Sequence, residues 1–147
     1  MAELRVSGIT GLIEDLGRLV RSTPKLRREI LNAEADVLEP AVRNGVTEAG
    51  LVQSGKLRAS IGRTDRTSLG ASVIQIGPSG VHHLYRPSPG HKGIARAGHI
   101  GYIHEYGVPS KGMKARRWMA NAVDRNAGKA YSAGVAAFDK HMKKHNL

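Results

Sequence analysis

The feature that most limits what this chain can become is one stretch carrying two apolar stripes. Leu26, Ile30, Ala33, Val37 and Ala41 recur at helical spacing. Leu31, Ala35, Leu38, Val42 and Val46 form a second set at the same spacing. At about 100° per residue the two sets lie well apart around a helix. One stripe can pack on the domain's own sheet, and the other wants a second partner. We assign Leu31, Ala35, Leu38, Val42 and Val46 to that second role, as a face buried between subunits. Pro40 removes a donor and clashes one turn back, so a kink or break is expected near Asp36–Glu39.

The other elements arrange themselves around this helix. Leu4 and Val6 alternate with polar neighbours as a short strand candidate, and Ile9, Leu12, Ile13, Leu16, Leu19 and Val20 follow at helical spacing. Ser22, Thr23 and Pro24 are expected to end that first helix and begin the two-striped one. After Gly50 and Gly55 the chain reads as a strand, with Leu57, Ala59 and Ile61 on one face and Arg58 and Ser60 on the other. "ASVIQIGP" is its predicted hairpin partner. Residues 77–99 show no period and hold three prolines and several glycines, which predicts a long central loop. A last helix is predicted over about 115–143. The expected fold is α+β: a small antiparallel sheet packed by a long kinked helix and a C-terminal helix, in one domain spanning 1–147.

Composition narrows the function classes. There is no cysteine, hence no disulfide framework and no thiolate metal site. No run approaches the roughly 20 apolar residues of a membrane span, and the N-terminus lacks the apolar region of a secretory signal. A cytoplasmic site of synthesis and no membrane partner are therefore expected. The net charge is +11 and unevenly spread. Residues 1–50 carry 7 basic and 8 acidic groups, whereas residues 51–123 carry 11 and 2. That central excess suits a polyanion or an acidic protein face. Arg86, Lys92, Arg96, Lys111 and Lys114 are the expected contacts.

Three kinds of chemistry lack the residue pattern they need. His82, His83, His91, His99 and His104 share one segment, but their scatter through glycine-rich sequence lacks the paired helical spacing of a hydrolytic zinc site. A nuclease would use His104 and Glu105 beside Lys111, Lys114, Arg116 and Arg117. No second acid lies near enough to help hold Mg²⁺. "GPSG" and "GHKG" lack the Gly-Lys-Ser/Thr ending of a phosphate loop. No catalytic residue, metal ligand or cofactor is assigned, and the expectation is a protein without enzymatic activity.

Two segments about fifty residues apart carry the more specific signal. In "SGKLRASIG" the informative positions are Ser54, Gly55, Leu57, Arg58, Ser60 and Ile61. In "HEYGVPSKGMKARRWM" they are Glu105, Tyr106, Gly107, Arg117, Trp118 and Met119. Their order behind a long helix resembles the lambdoid tail-component family of tailed phages, whose members serve as neck, tail-completion or head–tail joining proteins. The resemblance spans about residues 4–125. It departs from the family pattern before Ser54, in the length of the 77–99 loop and in the missing proline ahead of the last helix.

The resemblance implies a structural virion protein of the neck or tail, assembled in the host cytoplasm. It implies a homo-oligomeric ring, expected to be a hexamer, between head-completion and tail-tube proteins, with double-stranded DNA passing through. The alternative is a basic nucleic-acid-binding protein or nuclease. On either reading Glu105 calls for a partner, since a lone buried carboxylate is costly. Arg58 is the expected base and Arg117 the second choice.

Overall fold

The computed structural model describes residues 9–52, 55–68, 71–78, 84–85 and 95–146. The fold is α+β. Helix α1 spans Ile9–Glu48, and a short helix α2 spans Lys56–Ser60. Strands β1 (Ile61–Ser68) and β2 (Ala71–Pro78) pair antiparallel in register from Ile61↔Pro78 to Ser68↔Ala71. Strands β3 (Leu84–Tyr85) and β4 (Ala95–Arg96) form a second, minimal antiparallel pair. Helix α3 spans Ala97–Tyr106, a 3₁₀ turn Pro109–Lys111, and helix α4 Trp118–His145. The candidate strand at Leu4–Val6 lies outside the described residues.

Helix α1 is continuous through both prolines, so the expected end at Ser22–Pro24 and break near Asp36–Glu39 do not occur. Pro24 and Pro40 are exposed, as are Val20 and Asp36, one turn earlier. The carbonyls that each proline deprives of a donor therefore lie on the wet side of the helix. Water can satisfy them there, and the helix runs on.

Much of the second stripe is covered within the chain. Ala35, Val42 and Val46, assigned above to a subunit interface, are 2%, 2% and 0% exposed in this single chain. Val42 and Val46 join Leu57, Ile61, Trp118 and Ala122 in the core, with Ile76 and Met119 packed against them. The second partner of this stripe is thus the chain's own hairpin and helix junction. Leu31 and Leu38 are half-buried, and Leu31 lies beside Asp65, Val73 and Ile74 of the hairpin.

Helix α4 lies antiparallel along α1. Gly45 sits against Ala122, Glu34 against Gly134, and the Glu29 carboxylate 2.6 Å from His141 Nδ1. Gly45 is required for this approach, since a Cβ there would come within 3.1 Å of both the Ala122 methyl and the Trp118 carbonyl. An ionic clip holds the hairpin to α1. Arg63 bonds Glu39 at 2.6 Å and Asp36 at 2.8 Å, which raises its pKa further. Arg43 donates to Glu39 at 2.9 Å and to the Ile61 carbonyl at 2.8 Å.

Three further expectations need correction. Leu57–Ser60 is helical, and Ala59 is exposed while Ser60 is 1% exposed. Leu57, Ser60 and Ile61 follow a helical spacing inward, and the Ser60 hydroxyl donates to the Leu57 carbonyl at 2.7 Å. The 77–99 segment is also not structureless throughout. β2 runs to Pro78, Leu84–Tyr85 pairs with Ala95–Arg96, and α3 begins at Ala97. The last helix begins at Trp118 rather than about 115 and extends to His145.

Candidate functional site

The head of α4 is where the two sequence segments meet. A helix begins with several backbone N–H groups that have no intrahelical acceptor, and their dipoles leave that end partly positive. A local Ser, Thr, Asp or Asn normally accepts from the second and third of them. Here the N-cap residue is Arg117, in a left-handed conformation with φ 48°, and it makes no side-chain cap.

Glu105 supplies the missing cap from α3. Its Oε2 accepts the Met119 N–H at 2.7 Å and its Oε1 accepts the Ala120 N–H at 3.1 Å. These are the second and third amides of the helix, and the carboxylate is 5% exposed. The expected ion pair with Arg58 is therefore replaced. Arg58 is exposed on α2, and Arg117 contributes only its backbone N–H, 3.2 Å from the Glu105 carbonyl. The positive end of a helix provides what a buried carboxylate needs without a cation.

The rest of the junction is built around the same point. Trp118, 2% exposed, donates its indole N–H to the Gly101 carbonyl at 2.9 Å. Gly101 has room for nothing larger, since a Cβ would lie 2.9 Å from Leu57 Cδ1 and 3.1 Å from Pro78 Cγ. Leu57 and Ile61 from one segment thus share a core with Trp118 from the other.

Between them, residues 107–117 form a pinned loop. Val108 and Met113 exchange two backbone bonds at 2.9 and 3.1 Å. The Arg116 N–H reaches the His104 carbonyl at 2.8 Å. Gly107, at φ +74°, allows Met113 and Ala115 to approach, since a Cβ would sit 2.6 Å from the Met113 carbonyl oxygen.

Outside this joint the surface is basic and aromatic. Lys111, Lys114, Arg116 and Arg117 are all exposed, and no acid occurs between Glu105 and Asp124. Arg116 also donates to the Ala49 carbonyl at 2.8 Å. Tyr102 and Tyr106 stack on the outer face of α3 with ring centroids 6.2 Å apart. His104 is held below its ordinary pKa of 6.5 by burial and then by Arg116, so it is neutral at pH 7. With both Glu105 oxygens committed to amides, His104 and Glu105 do not form an acid–base pair.

Of the other assigned residues, Ser54, Arg86 and Lys92 lie outside the described residues, as do His82, His83 and His91. Arg96 belongs to the backbone of β4. Gly55 precedes α2 at φ +70°. The sequence reading missed the capping role of Glu105, and its signal was indirect: no short polar residue precedes Trp118. It also missed His141, 1% exposed with Nδ1 on Glu29. No family model, curated protein or solved structure matches this chain.

Proposed function

We propose that this chain is a structural subunit of the head–tail connection of a tailed phage, assembled as a ring between head-completion and tail-tube proteins. In this reading it has no enzymatic activity, and it acts in the neck or tail of the virion. The observation that carries the reading is the joint itself. The two segments behind the family resemblance adjoin in space, and their side chains serve architecture. Glu105 caps, Trp118 and Leu57 pack, Gly107 turns, and none is left poised for chemistry. Disrupting the gene tests it directly. Lysates should then contain filled heads and separate tails, with joining restored by the supplied protein. Joined, infective particles formed without the protein would overturn the reading.

The exposed basic loop supports contact with a polyanion or an acidic protein face. We favour an acidic face of the neighbouring ring, because a channel that must let DNA slide gains nothing by gripping it. Docking through Lys111 and Lys114 should then weaken with salt while the free subunit shows little affinity for DNA. The nucleic-acid-binding alternative requires sequence-independent DNA binding whose logarithm falls linearly with that of salt concentration.

A further inference from the structure

Among the described residues, helix α1 runs on past the elements packed along it. Its forty residues extend about 60 Å, whereas the twenty-eight of α4 extend about 42 Å. Glu29 already faces His141, close to the end of α4 at His145. On the other side, Arg28 and Leu31 lie beside Asp65, Arg66 and Val73, close to the hairpin turn. Among the described residues, both supports therefore stop near Lys25. The preceding part of α1, Ile9 to Pro24, extends onward for roughly 24 Å. Leu16 is 52% and Val20 71% exposed on it, and the sequence repeats Ile9, Leu12, Ile13, Leu16, Leu19 and Val20 at helical spacing. A lone amphipathic helix of this length is marginal in water.

Helix α4 carries the complement. Its seam with α1 runs through Ala122, Ala130, Gly134 and His141, all buried. Beside that seam, Val123, Tyr131, Val135 and Phe138 are 37%, 70%, 41% and 40% exposed. Their spacing makes one stripe about 22 Å long, which matches the arm.

We infer that the arm of one copy lies along the α4 stripe of the next. The inference rests on the ring reading and names its contact. Each chain offers one arm and one stripe, and they are different surfaces. Such a contact is heterologous, so it propagates head to tail and closes into a ring when the rotation allows.

The test uses two full-length variants, Val20→Asp and Tyr131→Asp, at exposed positions where folding is little affected. Light scattering should find the wild type oligomeric and each variant monomeric, with unchanged circular dichroism. Mixed, the two should form a dimer of about twice 15.8 kDa. The intact arm of Tyr131→Asp docks on the intact stripe of Val20→Asp, and the assembly can go no further. A mixture that stays monomeric, or a single variant that oligomerises like the wild type, overturns the arm-on-stripe contact and leaves the ring standing. A wild type that is monomeric in solution and in purified particles removes the ring and the contact together.

Discussion

Replacing Glu105 by Gln keeps the shape of the capping side chain and removes its charge. One oxygen can still accept a helix N–H, but the other becomes an NH₂ group facing a donor. A hydrogen bond to a charged group contributes about 1.5–3 kcal/mol, and a buried N–H left without an acceptor costs about 1–3 kcal/mol. Loss of the carboxylate's attraction to the helix end adds up to ~2 kcal/mol at a partly buried site. These contributions overlap, because all act on the same two amides at 2.7 and 3.1 Å. The expected destabilisation is about 3 kcal/mol, or a Tm lower by roughly 9 °C for a chain of this size. Urea unfolding at unchanged slope measures it. Arg58→Gln should be nearly silent, and the double variant additive within about 0.5 kcal/mol. A Glu105→Gln cost below about 0.5 kcal/mol would refute the capping argument. Coupling with Arg58 above about 1 kcal/mol would return the carboxylate to an ion pair.

Four other outcomes are expected. Gly107→Ala should prevent the 107–117 loop from closing, because backbone atoms cannot yield to a Cβ at 2.6 Å. Gly112→Ala, at φ +68° with open space around it, should cost only about 1 kcal/mol, and equal costs would contradict this ordering. Trp118→Phe should cost about 0.5–1.5 kcal/mol by removing the indole bond to the Gly101 carbonyl, as thermal unfolding would register. His104 binds its proton more weakly folded than unfolded, so stability should fall as pH drops below 6.5 and level off below the folded pKa. His104→Gln should remove that slope. Glu29, whose pKa is lowered by its bond to His141, adds stability above about pH 4.5 that is lost as pH falls through the folded value. Glu29→Gln should flatten that acid limb, and an unchanged limb would assign it to other carboxylates.

Much of the architecture was legible because long periodic segments dominate it. The two stripes of α1 and the apolar repeat of α4 declare helices, and the alternation in "ASVIQIGP" declares a strand. What the sequence concealed were local choices with two physical solutions. Leu57, Ala59 and Ile61 suit a strand, but Leu57, Ser60 and Ile61 suit a helix equally, and only the Trp118 pocket decides. The prolines of α1 were misread because their effect depends on which side of the helix faces water. The stripe of Ala35, Val42 and Val46 was rightly taken to need a partner. Nothing in the sequence says that the partner lies about eleven to eighty residues further along the same chain. Glu105 stands out in the sequence as a lone acid among bases, but its partners are backbone amides, and these have no signature in side-chain composition.

Pro24 has a mechanical consequence. It sits at the root of the overhanging part of α1, where the support of α4 and the hairpin ends, and it deprives that turn of one hydrogen bond. Pro40 makes the same omission in a section held from both sides. One proline is therefore splinted and the other is a hinge. A bend of about 5° at Pro24 moves the tip of a 24 Å lever by roughly 2 Å. In the ring proposed above, that compliance would let identical subunits meet neighbours at slightly different angles without disturbing the joint at Glu105. Pro24→Ala would stiffen the lever, and the spread of its angles among imaged particles should narrow accordingly.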